Sequence, residues 1–310
     1  MVTSKAARSV ENNKTTISFI GFGEAGQTFA SGLSEDGRVG GMRAFDIKTN
    51  GPDAQSKRME YQRHAVAGAD RCADVCKDTD AIFSLVTAEQ ANAAADEAAL
   101  TPLEGAFFLD CNSCAPDTKK HSARQIEAAG GRYVDVAIMT PVHPKRHKSP
   151  CLLAGPHAEA AHALMAGMGM DVQVAGKEIG TASARKMIRS VMVKGLEALT
   201  LECFLAARKY GIEKDIMASL DKSYPGFGWP ERATYMFERA MTHGVRRAAE
   251  MREVEKTLRD VGIEPHMTSG TVSRQSQVVA LELDATKIGK DEITALADAI
   301  LNRLNAEQTQ

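Results

Sequence analysis

The stretch TISFIGFGEAG, residues 16–26, joins an apolar run to three closely spaced glycines. An apolar run leads directly into Gly21, Gly23 and Gly26, which have the G-x-G-x-x-G spacing. Glycines at these positions permit a tight turn and a close approach of the backbone to a pyrophosphate, and the N–H groups of a helix N-terminus bind phosphate oxygens. The spacing therefore predicts a strand, a phosphate-binding turn and a helix that begins near Glu24.

Beyond this stretch, short apolar segments alternate with helical ones up to about residue 178. The apolar segments are 43–47, 81–86, 106–110, 133–138, 151–155 and 171–175, and helical sequence such as 88–100 and 115–130 separates them. Strands separated by helices predict an α/β domain with a Rossmann-like, doubly wound and mainly parallel sheet.

The strand pattern stops after about residue 179. The remaining sequence is helical, with breaks at 210–211, 223–230, 262–265 and 288–292. We therefore predict a Rossmann-like domain over residues 1–178 and an all-α domain over residues 179–310. The second domain is expected to begin with a long interdomain helix, and residues 1–14 are expected to form a frayed tail.

Composition limits the class of protein. The chain has 38 basic and 40 acidic residues, a net charge of −2, so no nucleic-acid partner is expected. A membrane span is not expected either, because no apolar run approaches ~18 residues. The N-terminus lacks the apolar core of a secretory signal. The six cysteines are therefore expected to be free thiols in a cytoplasmic protein.

Asp46 ends the second apolar segment, 20 residues after Gly26. An acidic side chain at this place binds the ribose hydroxyls of a dinucleotide and repels the 2′-phosphate of NADP, so NAD is expected to be favoured over NADP. Lys48 and Lys57 are expected to soften that preference. The expected cofactor-binding residues are Gly21, Phe22, Gly23, Glu24, Ala25, Gly26, Asp46 and Thr87.

The segment GTASARKMIRSVMVKG, residues 180–195, predicts the start of the long helix. One stripe of that helix, at steps of three and four, carries Ser183, Lys186, Ser190 and Lys194. Burial is indicated by Met187, Ile188, Val191 and Met192. A helical lysine is usually a snorkelling surface residue, but this helix is expected to line the ligand cleft. A partly desolvated lysine there exchanges protons with an alcohol or carbonyl, so Lys186 is the candidate general acid/base.

These motifs, in this order, resemble those of the β-hydroxyacid dehydrogenase and 6-phosphogluconate dehydrogenase family along nearly the whole chain. GFGEAG at 21–26 resembles the family's nucleotide loop, and DCNSCAP at 110–116 resembles its D-x-S-T-x-x-P segment. GTASARKMIRS at 180–190 resembles its G-x-x-x-x-x-K-x-x-x-N signature. The resemblance implies that Lys186 is the catalytic lysine, assisted by Ser190. It also implies that Asn112 and Ser113 lie beside the nicotinamide and the substrate.

Two positions depart from the family's pattern. Ser190 replaces the asparagine of the lysine signature, and its side chain reaches less far. Met139, Thr140 and Pro141 stand where Ser-Gly-Gly usually binds the substrate carboxylate, and proline has no N–H to donate. The departure argues against the family's usual small 3-hydroxy acids. The C-terminal half resembles a branch of the family whose helical domain has no known function.

The sequence thus predicts an NAD(P)-dependent oxidoreductase that transfers a hydride between nicotinamide and a hydroxyl or keto group. Two alternatives remain open, an imine reductase on the same scaffold and a regulatory protein that senses NAD without turnover. A small-molecule substrate is the expected partner, and the extensive helices favour a homodimer. The expected substrate contacts are Asn112, Ser113, Met139, Thr140, Lys194 and His243.

Other clusters have less specific interpretations. His143 and His147 lie in a proline-interrupted loop without a third ligand, so we expect a basic loop that contacts an anionic substrate rather than a metal site. Cys111 and Cys114 are interpreted as packing residues. The aromatic segment 224–235 fits either core packing or the roof of a cleft.

Overall fold

The computed structural model describes residues 14–288 and 293–307. The predicted frayed tail, except for Lys14, and the predicted break after Ile288 lie outside the described residues. The strands are β1 (Thr15–Ile20), β2 (Val39–Phe45), β3 (Ala67–Gly68), β4 (Ala81–Ser84), β5 (Phe107–Asp110), β6 (Arg132–Ile138), β7 (Cys151–Ala154) and β8 (Val172–Gly176). The α-helices are α1 (Glu24–Asp36), α2 (Ala54–Arg63), α3 (Cys72–Cys76), α4 (Ala91–Ala99), α5 (Pro116–Ala128), α6 (Ala158–Gly167), α7 (Thr181–Tyr210), α8 (Glu213–Ser223), α9 (Trp229–Asp260), α10 (His266–Ala280), α11 (Ala285–Ile288) and α12 (Ile293–Glu307).

The strands form one sheet in the order β3-β2-β1-β4-β5-β6-β7-β8, in which only β6 and β7 are antiparallel neighbours. The predicted doubly wound, mainly parallel sheet is confirmed. Strand order reverses between β1 and β4, and the crevice at the carboxyl ends of such strands is where ligands bind in this class of fold.

Both faces of the sheet are covered by helices. Along β1, Phe19 packs into the core on one face and Ile20 into the core on the other, and along β4 Phe83 and Ile82 divide in the same way. Successive side chains of a strand point to opposite faces, so a strand buried on both sides is apolar at most of its positions. This requirement explains why the sequence shows continuous apolar runs rather than alternation.

The chain divides into two compact units, one that ends at Lys186 and one that begins at Met187, so that the division falls within α7. The described residues of the second unit form helices and connecting turns. Its main core includes Phe204, Trp229 and Phe237. Among the described residues, no helix has an apolar stretch long enough to span a membrane.

The burial of individual side chains bears on the predictions for the cysteines, the long helix and the aromatic segment. The six cysteines are free thiols, as expected. Ile188 and Met192, which were expected to be buried on α7, are 56% and 72% exposed. The expectation was wrong because the buried face of α7 follows Met187 instead. In the aromatic segment, Trp229 is buried whereas Tyr224 is exposed, so only part of that segment is core.

Candidate active site

The loop between β1 and α1 is shaped to admit a phosphate group. Gly21 has φ +86°, and a Cβ on it would lie 2.6 Å from the Leu85 carbonyl oxygen. A Cβ on Gly26 would lie 2.8 Å from the Gly21 oxygen, so both positions need glycine. Gly23 faces open space, and as the N-cap residue of α1 it has no side chain to bond the first N–H groups of that helix. The loop therefore fits a dinucleotide pyrophosphate.

The other predicted cofactor-binding residues lie at the same edge of the sheet. Phe22 is fully buried, and its backbone N–H and carbonyl oxygen are both bonded within the protein, so it shapes the loop. Ala25 is half-buried. Glu24 is exposed in the first turn of α1. Thr87 is exposed just beyond β4, whose carboxyl end adjoins that of β1.

Asp46 is buried and connects the end of β2 to the glycine loop. Its Oδ2 accepts a hydrogen bond from the Phe22 N–H at 2.7 Å, and its Oδ1 accepts one from the Lys48 N–H at 3.0 Å. Lys57 lies inside the protein, with its Nζ 3.8 Å from Asp46 Oδ2. The expectation that Lys57 would soften cofactor preference was therefore wrong, because its ammonium faces inward. Lys48 is exposed and lies 3.6 Å from Asp53.

Lys186 and Ser113 come together although 73 residues separate them in the chain. The Lys186 ammonium donates a hydrogen bond to Ser113 Oγ at 2.7 Å, and both residues are partly buried. Ser113 follows β5, whereas Lys186 lies in the second turn of α7. Because β5 neighbours β4, and β4 neighbours β1, these residues lie toward the same edge of the sheet as the glycine loop.

The Asn112 side chain, expected to contact the substrate, is bonded within the protein. Its amide nitrogen donates to Ser84 Oγ at 3.0 Å and to Asp110 Oδ1 at 2.8 Å. Its amide oxygen accepts from the Val86 N–H at 2.8 Å. Both amide hydrogens are thus used inside the protein, and the residue is buried. Asn112 ties the ends of β4 and β5 together beside Ser113 rather than presenting a donor to a substrate.

A buried group of charged and polar residues lies behind this loop. Lys119 of α5 donates to Asp110 Oδ1 at 2.8 Å and to the Asp110 carbonyl oxygen at 2.7 Å. Its Nζ is also 3.7 Å from Asp135 Oδ1. The Tyr133 hydroxyl donates to Asp110 Oδ2 at 2.7 Å. Side-chain exposure of the three charged residues is 0–1%, so this is an ion-pair group shielded from water.

The same group fixes the start of α7. Asp135 Oδ2 accepts hydrogen bonds from the N–H groups of Gly180, at 3.1 Å, and Ser183, at 3.0 Å. A carboxylate at a helix N-terminus satisfies backbone donors that have no partner within the helix. Asp135 thereby holds the helical turn that precedes Lys186, while Asp110 holds the loop that carries Ser113.

Burial and charge oppose each other within this group. Burial raises the pKa of Asp135, although Lys119 acts to lower it. Burial acts to lower the pKa of Lys119, but the charges of Asp110 and Asp135 outweigh it, and the pKa lies above its ordinary value. Burial also raises the pKa of Tyr133. The two carboxylates therefore favour the charged form of Lys119.

The predicted substrate segment is partly engaged within the protein. The Met139 N–H donates to the Pro150 carbonyl oxygen at 2.9 Å, whereas Thr140 is exposed.

Three residues of the basic loop that follows are paired within the protein. Arg146 pairs with Glu35 at 2.5 Å, and His147 and Lys148 pair with Asp36 at 3.2 and 2.8 Å. Arg146 and Lys148 thus compensate the two carboxylates at the end of α1, whereas burial lowers the pKa of His147. A contact between this loop and an anionic substrate stays a prediction. In residues 14–288 and 293–307, no group of three potential metal ligands comes together.

The second unit contains a separate cluster of paired charges. Lys194 is buried, and its Nζ lies 2.7 Å from Glu250 Oε2 and donates to Ser190 Oγ at 3.3 Å. Burial lowers the pKa of Lys194 in spite of the attraction of Glu250. Arg247 pairs with Glu197 nearby on the same two helices. His243, also predicted to contact substrate, is half-buried on α9.

Sequence reasoning missed the charged group around Lys119. The available signal was an aspartate in an otherwise apolar strand, since Asp110 ends one such strand and Asp135 lies within another. A charge in a strand buried on both faces requires a partner. Nothing in the spacing identified Lys119 as that partner, because its helix also carries exposed charges such as Lys120.

The chain matches two known families. Residues 16–176 match the family described as the NAD binding domain of 6-phosphogluconate dehydrogenase. Residues 207–278 match a domain of unknown function, DUF1932.

Individual proteins are similar over different lengths. A conserved hypothetical protein from Sinorhizobium meliloti 1021, of known crystal structure, is 34% identical, with a TM-score of 0.73 over 93% of this chain and 96% of that one. Mitochondrial 3-hydroxyisobutyrate dehydrogenase from Bos taurus is 23% identical over 70% of this chain, and the match spans 64% of that enzyme's own length. An imine reductase from Aspergillus terreus, in complex with NADPH4 and dibenz[c,e]azepine, is 17% identical, with a TM-score of 0.55 over 93% of this chain and 99% of that one. This last likeness concerns the fold alone.

Proposed function

We propose that this chain, which belongs to the family of the 6-phosphogluconate dehydrogenase NAD binding domain, is an NAD(P)-dependent oxidoreductase that acts on a hydroxyl or keto group. The observation that carries the proposal is the 2.7 Å hydrogen bond between Lys186 and Ser113. It places an ammonium group beside a hydroxyl at the sheet edge that also carries the glycine loop. A general acid/base is required for turnover and not for binding alone, so a proton donor at this place favours an enzyme over a binding protein.

Each residue of the site has a separate proposed role. The nicotinamide, when bound, accepts or supplies the hydride. Lys186 donates a proton to the substrate oxygen during reduction and accepts it during oxidation, whereas Ser113 orients the lysine and the substrate. Ser190, the next polar member of the stripe on α7, and Lys194 are proposed to bind polar groups of the substrate. Asn112, whose side chain is bonded to Ser84 and Asp110, is proposed to hold the backbone next to Ser113.

A substrate screen tests this proposal. Hydroxy acids, alcohols, ketones and cyclic imines are offered with NAD(H) and with NADP(H), and turnover is followed by nicotinamide absorbance. We expect turnover of a hydroxyl or keto compound. Turnover of cyclic imines alone favours an imine reductase, and cofactor binding without turnover of any compound favours an NAD-sensing protein; either result contradicts the proposal.

Cofactor preference depends on Asp46. We expect the protein to bind NAD more tightly than NADP, because the carboxylate repels a 2′-phosphate. Asp46→Ala is expected to bring the Kd values of NAD and NADP closer together. It is also expected to weaken binding of both cofactors, because the Phe22 N–H loses its acceptor. Calorimetric titration of both proteins with both cofactors measures the effect, and tighter NADP binding by the unmutated protein would contradict the expectation.

The substrate segment is expected to disfavour a class of small substrates. Because Met139, Thr140 and Pro141 replace Ser-Gly-Gly, 3-hydroxyisobutyrate and glycerate are expected to be poor substrates. The measurement is kcat/KM for each compound with the preferred cofactor. A value of about 10⁴ M⁻¹s⁻¹ or more, an ordinary enzyme efficiency, would show that this segment does not set specificity.

A homodimer remains part of the proposal. The exposed apolar residues of α7, namely Ile188, Met192 and Leu199, are candidates for a subunit contact.

A further inference from the structure

The backbone of Phe22, in the middle of the glycine loop, is held on both sides. Its N–H donates to Asp46 Oδ2 at 2.7 Å. Its carbonyl oxygen accepts from Lys57 Nζ at 2.9 Å and from the Gln27 side-chain amide at 3.1 Å. Phe22 thus donates one hydrogen bond and accepts two, with side chains from three different parts of the fold. The loop conformation depends on them as well as on its glycines.

Lys57 is enclosed at the centre of this arrangement. Its side chain is 6% exposed and lies 2.5 Å from Glu60 Oε2 and 3.8 Å from Asp46 Oδ2. Gln27 also donates to Glu60 Oε2, at 2.8 Å. One ammonium therefore lies between two carboxylates and bonds the loop directly. Since every one of these contacts points inward, Lys57 is not placed to contact a phosphate itself.

We propose that Lys57 is a positioning residue for dinucleotide binding, which holds the glycine loop in its phosphate-binding conformation through the carbonyl group of Phe22. The inference rests on the proposed function only in taking the ligand to be a dinucleotide. A loop ordered before the ligand arrives spares the ligand the entropic cost of ordering it. Lys57 thus acts on affinity for the phosphate part of the cofactor, at a distance from the ligand.

Lys57→Met tests this role, because methionine keeps an unbranched stem and removes the ammonium. We expect the Kd values of NADH and ADP to rise about 10- to 100-fold, the range expected for loss of a hydrogen bond to a charged group. The Kd of adenosine, which has no phosphate, is expected to stay within about twofold of the wild-type value. Arg58→Met is the matched control. It removes the same charge from the next residue of α2, where Arg58 pairs with Asp70 at the surface, and is expected to change none of these values.

A second variant separates the hydrogen bond from the charge. Lys57→Met/Glu60→Gln has the same net charge as the wild type and leaves no Glu60 carboxylate without its cation. This double variant replaces the single variant in the binding measurements if Lys57→Met does not fold. We expect it to bind NADH and ADP as weakly as Lys57→Met. Wild-type affinity for NADH and ADP in this variant, once it is shown to be folded, would overturn the proposal.

Hydrogen exchange tests the inference without any ligand. In mass spectrometry, peptides covering residues 20–27 are expected to exchange faster in both Lys57 variants than in Arg58→Met, because the Phe22 carbonyl group has lost one of its donors. Unchanged exchange overturns the inference. If the wild type binds neither NADH nor NADPH while exchange does change, the proposed function fails and the role of Lys57 in the loop stands.

Discussion

Lys186→Met is expected to lower turnover about 10²–10⁴-fold, the usual contribution of a general acid or base. Methionine preserves the length of the side chain and its helix propensity, so the fold and the affinity for cofactor are expected to stay near wild type. The loss therefore falls on kcat. Once the screen has identified a substrate, steady-state kinetics at saturating cofactor measure it, with circular dichroism and calorimetry as checks of fold and cofactor binding.

Lys194→Met is the control for this prediction. Lys194 lies farther along α7 and is paired with Glu250, so its replacement is expected to raise KM more than it lowers kcat. The proposed mechanism is wrong if Lys186→Met keeps more than about a tenth of wild-type turnover. A loss of less than about tenfold is smaller than the contribution of a general acid or base. In that event the bond to Ser113 would serve only to attach α7 to the loop after β5.

Lys119→Met is expected to lower the free energy of unfolding by about 3–5 kcal/mol, the cost of breaking a buried ion pair by removing one partner. The variant leaves Asp110 and Asp135 buried without their cation and removes two hydrogen bonds to Asp110. Because these carboxylates also hold the loop at Ser113 and the start of α7, turnover is expected to fall in any folded fraction. Denaturant unfolding measures the loss of stability.

The neighbouring residue provides a matched control. Lys120 pairs with Asp117 on the exposed side of α5, and Lys120→Met is expected to change stability by no more than about 0.5 kcal/mol. Lys119→Met/Asp110→Asn removes one charge of each sign and is expected to recover part of the loss. If Lys119→Met costs less than about 1 kcal/mol, the low end for an unsatisfied buried group, the buried group does not hold the site together.

The alternation of apolar and helical segments in the sequence determined the fold class. Strands covered on both faces need apolar residues at most positions, and a pyrophosphate turn needs glycine where the backbone is too close for a side chain. Both requirements are local, so residues 16–26 and the segments after them predicted the parallel sheet, the turn and α1. The family resemblance that these motifs predicted is confirmed by the matches over residues 16–176 and 207–278.

Tertiary structure alone decided which polar groups meet. The bond between Lys186 and Ser113 joins residues 73 positions apart, and Lys119 meets Asp135 across two elements of the fold. Spacing along a chain specifies which residues share a helix face or a strand face, but not which distant side chain fills the space beside a buried charge. For that reason the motifs assigned roles to Lys186 and Asn112 alike. The role of Lys186 stays a prediction, and Asn112 was assigned to the substrate. The structure instead has Asn112 bonded within the protein. Its amide accepts from the Val86 N–H and donates to Ser84 Oγ, and so joins the ends of β4 and β5.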